Sequence, residues 1–495
     1  MRQGPCRRHV CALAVALASL TIPLWGGANT LAAESARVRS SPAPPKPPIA
    51  QERLAELRSR LSRNRDHLER SSRRLTLPEA IATGLAQNPI LAKAHAGIEA
   101  TRWSGVAIRR EWAPSLVAGN NDPGLLGVQQ QQANTLSISS PQLTLEWTFF
   151  DPSRAPRAKA NAASLEADRF LFDVEARSLV LNVQESYYDL QALLALEVEY
   201  RELSAIVDRW LRLARARGPR GAATPDVDQL LSQQLAQLIL RIDTHEQVIV
   251  AASKLARALS LPPGELVLPA EPLALQGQWT LSRTETIDQA LRLREEIQRS
   301  LATARSLAWS AVATRKGYLP TLSLEGTGST QGTTDNADLD SEGQVGMNVQ
   351  WTFFDGGILA AKATAQRRQQ EQALQQADLD RLSVTEEVET SYAAYVNSQI
   401  VVDTAIAQME SARASFLAAT KSFQAGSSDA TTLLQVLANT RGAVEAYSRA
   451  VRKHNRSVAE LERFSARWPA AAQPLLRQRV ASLQISAPAP PDRGP

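Results

Sequence analysis

Two hydrophobic periods alternate along the chain, and each occurs twice. The first has period two. Val345, Met347, Val349, Trp351 and Phe353 alternate with Gly346, Asn348, Gln350, Thr352 and Phe354, and Leu143, Leu145, Trp147 and Phe149 alternate with Thr144, Glu146 and Thr148. One apolar and one polar face predicts a half-exposed strand, and Leu322, Leu324, Gly326 and Gly328 supply the other arm of the second hairpin. The second period is helical. No Gly or Pro interrupts the 68 residues from Ile358 to Ala425 or the 61 from Arg157 to Arg217, so each predicts one helix, the longer about 100 Å if straight. In the later helix, steps of four and three select Val388, Tyr392, Tyr395, Gln399, Val402, Ile406, Met409, Arg413, Phe416, Thr420 and Phe423. A 3.5-residue period this long predicts coiled-coil packing, with the stem of Arg413 lying along the stripe and its charge reaching water.

The order of these features repeats. Trp147-Thr148-Phe149-Phe150-Asp151 recurs as Trp351-Thr352-Phe353-Phe354-Asp355, displaced by 204 residues (351 minus 147). Before each copy a helical stretch, Leu77 to Glu111 or Thr286 to Lys316, ends at an aromatic-x-Pro break, Trp112 to Leu116 or Tyr318 to Leu322. After each long helix comes a turn, Gly218 to Pro225 or Gly426 to Asp429, and then a returning helix, about Asp226 to Leu261 and Ala430 to Arg467. The strands run to about ten residues, end in Trp and Phe and have a polar second face, which suits a transmembrane barrel with a water-filled lumen. A soluble sheet with one buried face shares the same alternation. Four strands cannot close a barrel in a bilayer, where open edges are not tolerated, so transmembrane strands require oligomerisation.

Composition adds an address. Arg2, Arg7 and Arg8 precede an apolar run from Ala12 to about Leu24 and small residues through Ala33, which predicts a secretory signal over 1–33. Both cysteines, Cys6 and Cys11, lie inside it, so the exported chain is expected to have no disulfide and no thiol chemistry. Of the formal charge of +5, three arginines go with the signal, leaving about +2 (5 minus 3), too little for a nucleic-acid footprint. Residues 34–74 read as a Pro-rich linker and an Arg-rich helical extension with Leu54, Leu57, Leu61 and Leu68 on it, and 468–495 as a disordered tail. The five histidines show no metal-ligand spacing, Gly326 to Thr330 lacks the lysine of a phosphate loop, and Glu386-Glu387 reads as solvated surface. The acidic stretch Asp335 to Glu342 is expected at an exposed hairpin tip. No catalytic constellation, cofactor site or metal site is expected.

The motifs together resemble the TolC-like outer-membrane efflux protein family: Leu75-Thr76-Leu77-Pro78-Glu79-Ala80 with Asn88-Pro89, the two aromatic-x-Pro breaks, both Trp-Thr-Phe-Phe-Asp copies with Gly356-Gly357, and Ala425-Gly426. Their order, given twice, carries the resemblance over nearly the whole exported chain, as a first repeat at 75–270 and a second at 271–467. The resemblance implies a fold joining a transmembrane β-barrel to a long α-helical barrel. Each subunit gives four strands, a homotrimer closes a 12-stranded barrel in outer-membrane lipid, and antiparallel coiled-coil hairpins reach through the periplasm to an adaptor protein and an inner-membrane pump. It implies efflux or type I secretion of small molecules or proteins, with Trp147, Phe149, Trp351 and Phe353 at the barrel interface and Gly218, Gly221 and Gly426 at helix-turn tips that meet the adaptor. In relatives, aspartates on the helix after the second turn constrict the periplasmic end. The matching positions are Phe423, Ser428, Thr432 and Gln435, with Asp429 the one acid close by, so a less acidic constriction is expected. A periplasmic adaptor or scaffold with helical hairpins is the alternative reading; it predicts compact β-domains around a single hairpin.

Overall fold

The computed structural model describes residues 49–120, 128–132, 135–138, 141–217, 225–333, 336–469 and 472. The expected signal, most of the Pro-rich linker, Gly218 and Gly221, and nearly all of the expected tail lie outside the described residues. Helix α1 (Ile49–Ser71) and strand β1 (Arg73–Leu75) precede α2 (Leu77–Gln87), α3 (Pro89–Arg110), β2 (Ser115–Asn120), β3 (Val128–Gln132), β4 (Thr135–Ile138), β5 (Pro141–Phe150), α4 (Arg154–Arg217) and α5 (Pro225–Leu259). Then follow β6 (Val267–Pro269), α6 (Arg283–Leu293), α7 (Glu295–Lys316), β7 (Thr321–Thr333), β8 (Asn336–Gln350), α8 (Ile358–Ala425) and α9 (Ala430–Phe464). The repeat is one of lengths as well as motifs: α2 and α6 have 11 residues each, α3 and α7 have 22, and α5 and α9 have 35.

Local chemistry sets the boundaries. Thr76 with Glu79 and Ser282 with Glu285 form capping boxes at α2 and α6, each answering two orphan backbone donors. The single helices expected over Leu77 to Glu111 and Thr286 to Lys316 are each two. Asn88 and Arg294 sit in extended conformation, the first because the following Pro89 disfavours helical backbone before it. Asn88 then caps α3 through the Ile90 N–H and ties the break to the carbonyl of Ala258 at 2.9 Å.

The core runs between the helices. Leu68, Ile81, Leu91, Val183, Tyr187, Leu255 and Leu259 are buried together with Val267 and Leu268 of β6, which pairs in parallel with β1. Further along, Trp210, Val207, Leu230, Phe416, Phe423, Leu433 and Leu437 form a second cluster. The expected helical extension is α1, and it packs: Leu61 and Leu68 are buried, Leu57 faces out, and Arg58 pairs with Asp208 of α4 at 2.7 Å.

The coiled-coil seam of α8 differs in register from the one its most apolar residues predict. Val388, Tyr395, Val402, Phe416 and Phe423 are buried as expected, but their partners are Ser391, Ser398 and Ala405, with Gln399 and Arg413 exposed. Small residues let α9 approach closely, and Ser398 meets His454 of α9 at 3.0 Å. Tyr392, Ile406 and Thr420 sit half-buried at the flank. Glu387 is also more than solvated surface, since it pairs with Arg294 at 2.8 Å.

Candidate functional site

Apart from β1 and β6, the strands form one sheet in which β2, β5, β7 and β8 are neighbours in that order, with β3 and β4 extending the first hairpin. Residues directly opposite on adjacent strands share a face, so the register assigns the two surfaces. Leu116 faces Leu145, Leu145 faces Gly326, Gly326 faces Val345, Trp147 faces Leu324 and Leu324 faces Met347. This face is apolar and bare: Leu116 is 63 % exposed, Val345 78 % and Met347 68 %. The other face carries Gln142, Thr144, Glu146, Ser323, Glu325, Thr327, Gln344 and Asn348, with Glu146 directly opposite Glu325. Among the described residues β2 and β8 each pair on one side only, so the sheet is open at both edges.

Strand gives way to helix at the repeated Trp-Thr-Phe-Phe-Asp. The Trp147 indole donates to the carbonyl of Trp112 at 2.9 Å, and the Trp351 indole donates to that of Tyr318 at 3.0 Å. Each motif tryptophan therefore locks its strand to the aromatic-x-Pro break that began the hairpin. The motif aspartate serves the helix that follows. Asp151 accepts from the Ser153 N–H and from Arg157, whereas Asp355 accepts from Tyr318 and from the Gly357 and Leu359 N–H groups. Although burial raises both carboxyls, these donors hold them below the usual range. The expected alternation runs too far at both copies. A bulge at Phe149 puts Phe150 opposite Leu322, and β8 ends at Gln350, so Trp351 and Phe353 lie beyond the strand. Both remain exposed, at 61 % and 80 %, and Trp351 still meets Phe353 as Trp147 meets Phe149, with ring centroids 6.1 and 5.9 Å apart.

At the far end of the helices, Gly426 takes the left-handed φ of 81° that closes α8, while Gly426 and Ser427 donate to the carbonyls of Phe423 and Ser422. Arg217, in the last turn of α4, donates to the carbonyl of Phe423 at 2.6 Å and to that of Gln424. It thereby gives the last α8 carbonyls a side-chain donor beside the Gly426 N–H, and its guanidinium lies 5.5 Å from the Phe423 ring centroid. Sequence reasoning missed Arg217, because a basic residue at a helix end reads as an ordinary dipole partner. Phe423 itself is buried within the hairpin, whereas Asp429, Thr432 and Gln435 are exposed and Ser428 is half-buried. The Asp429 carboxylate caps α9 through the Thr432 N–H at 3.0 Å, and its hydrogen bonds with Thr432 hold it below the usual carboxylate range.

Between the two ends, one buried ion pair ties α4 to α7 across the repeats, and a neighbouring network ties α7 to α9. Arg177 of α4 meets Glu295 of α7 at 2.7 Å, and Glu296 meets Arg463 of α9 at 2.6 Å and Arg294 at 2.9 Å. Burial would raise Glu296, but Arg463 and Arg294 draw it down to about 2. Asp173 lies beside this network, and burial together with Glu295, against the opposing pull of Arg177, pushes it up to about 6.

Residues 286–466 match the family described as Outer membrane efflux protein. The comparison with curated proteins gave no match. Among solved structures, the Campylobacter jejuni CmeC outer membrane channel is similar at a TM-score of 0.68 and 14 % identity, over 81 % of this chain and 89 % of that one. The outer-membrane channel OprN is similar at 0.65 and 19 % identity, over 79 % and 89 %. The open state of the Neisseria gonorrhoeae MtrE outer membrane channel gives 0.65 and 16 %, over 79 % and 89 %. Residues 286–466 are thus similar to an outer membrane efflux protein domain, and the chain shares the fold of these outer-membrane channels.

Proposed function

We propose that three copies of this chain close a 12-stranded barrel in the outer membrane and continue as a helical tunnel into the periplasm, forming the exit duct of a tripartite efflux pump or type I secretion system. The observation that carries this reading is the sheet with an exposed apolar face, a polar reverse face and two unpaired edges. In lipid such edges must be paired, and closure by further copies does so without new elements. The helices support the same reading. Leu235, Ile239, Ile242 and Ile249 of α5 form a bare stripe at coiled-coil spacing, and on α8 Leu382, Val396, Ile400 and Leu417 are exposed between acids such as Glu389 and Asp403, surfaces suited to neighbouring subunits. No helix among the described residues is long and apolar enough to cross a membrane, so strands make the crossing.

In this assembly residues 75–270 and 271–467 are the two repeats. The tips at Gly218, Gly221 and Gly426 meet a periplasmic adaptor that joins the duct to its inner-membrane pump. The constriction is formed by Ser428, Asp429, Thr432 and Gln435, with Phe423 packed behind them. Because Asp429 is already committed to capping α9, closure rests on helix packing and on the Arg217 staple rather than on a ring of free carboxylates. Planar-bilayer recording of the detergent-purified protein, with its mass in the same detergent, tests the proposal. Trimers giving discrete openings support it, and a monomer that inserts no channel refutes it. Replacing Asp429, Thr432 and Gln435 by Ala raises conductance if the constriction lies there; unchanged conductance places it elsewhere.

A further inference from the structure

Where helix passes into strand, both repeats carry the same basic and aromatic collar. The first has Trp103, Arg109, Arg110 and Trp112, and the second has Trp309, Arg315, Lys316 and Tyr318, each displaced by 206 residues (309 minus 103, 318 minus 112). Trp103 and Arg110 are two helical turns apart, as are Trp309 and Lys316, so each pair shares one stripe of its helix. Trp103 is 63 % exposed and Trp112 51 %; Arg109, Arg110 and Arg315 are exposed and Lys316 half-buried. Among the described residues no carboxylate forms an ion pair with these four cations.

The strand segments beside the collar have the opposite charge. Residues 113–150 and 317–354 contain seven acids and no Lys, Arg or His, so the formal +5 of the chain divides into −7 there and +12 elsewhere (5 plus 7). Cations begin abruptly where the strands end. The helix dipole accounts for bases in a last turn. It does not account for the exposed Trp103 two turns earlier on the same stripe; its counterpart Trp309 is 36 % exposed and holds Lys159 4.3 Å over its ring, which brings a further cation to the collar.

We propose that this collar binds the anionic headgroups of phospholipids in the leaflet that adjoins the helical end of the strands. The inference rests on the barrel reading, which sets the strand ends at a bilayer surface. Guanidinium and ammonium groups donate to the lipid phosphates, and the rings of Trp112 and Tyr318, between these cations and the strands, occupy the adjoining interfacial layer. A zwitterionic headgroup offers the same phosphate with its own cation beside it, so lipids of net negative charge are preferred. The acidic strand segments repel them, so the collar also fixes which end of the barrel faces the anionic leaflet.

The test uses the full exported chain in bilayers of mixed phosphatidylethanolamine and phosphatidylglycerol, with the lipids that stay bound after gentle detergent release counted by native mass spectrometry. The native protein retains phosphatidylglycerol about threefold above its share of the bilayer, and added salt lowers that enrichment. Changing Arg109, Arg110, Arg315 and Lys316 to Gln returns the bound lipids to the bilayer ratio. The same change at the exposed Arg212, Lys421, Arg449 and Lys453 leaves the enrichment intact. Insertion without enrichment, enrichment that persists in the collar variant, or equal loss in the distant variant overturns the collar alone. A chain that never enters the bilayer fails earlier, and takes the barrel reading with it.

Discussion

Helices α4 and α8 occupy the same place in their repeats and have nearly the same length, yet one is central and the other lies at an edge. Helix α4 buries 24 of its 64 residues, against α3, α5, α7 and α9 among others, whereas α8 buries 11 of 68 and leaves Leu382, Ile400 and Leu417 more than 60 % exposed. The strands divide within each repeat instead, with β5 and β7 paired on both sides and β2 and β8 on one. A single sequence plan thus gives the first repeat a long helix filled from within the chain and the second a long helix left open, while each repeat contributes one inner and one outer strand. In the proposed trimer the exposed apolar residues of α8 and the bare edge of β8 belong to one subunit boundary.

The comparison breaks most sharply under a buried charge. Val207→Glu in α4 places an unpaired carboxylate in a fully buried site and costs several kcal/mol, on the order of 3–5. Ile400→Glu in α8 leaves the helical circular dichroism intact and instead shifts the assembly toward monomer in detergent; an unchanged trimer would remove α8 from the interface. Next in size, Arg177→Met strands Glu295 in the junction between repeats and lowers unfolding stability by about 3–5 kcal/mol. The double change Arg177→Met with Glu295→Met recovers most of that loss.

Asp173 gives a smaller and pH-dependent effect. Its folded pKa of about 6 lies above the ordinary 3.8, so the fold favours its protonated form. That contribution is complete below about pH 4 and is lost as pH rises to about 6. Asp173→Asn should flatten the stability profile across this window and raise stability at pH 7 by on the order of 1–3 kcal/mol, as measured by denaturant unfolding at several pH values. Smallest is the effect on conduction of Glu146→Gln with Glu325→Gln. It leaves assembly unchanged and lowers the cation-to-anion permeability ratio about twofold, because these opposed carboxylates line the polar face.

Much of the fold is legible in the sequence because its signals are long. Uninterrupted helices and a verbatim strand motif need no tertiary information, and α8 begins and ends where the absence of Gly and Pro places it. The seam was harder to read. Choosing the most apolar residue at each step selects Tyr392 and Ile406, while the helices meet over Ser391, Ser398 and Ala405, where small size matters more than hydrophobicity. The strand end at Gln350 and the bulge at Phe149 depend on pairing partners that a single strand does not disclose. Arg217 caps a helix 206 residues away, a relation no local pattern contains.

In the proposed trimer β2 of one copy pairs with β8 of the next. Both cysteines lie within the first 11 residues, in the expected signal, so introduced thiols report without background. Val117→Cys in β2 is combined in turn with Gln344→Cys, Gly346→Cys or Asn348→Cys in β8, and the proteins are oxidised in outer membranes. Within one chain these edge strands are three strand spacings apart, roughly 14 Å, beyond disulfide reach. The expected result is a ladder on non-reducing gels that ends at three linked chains, strongest for one of the three pairs. Chains that stay monomeric with every pair would contradict it.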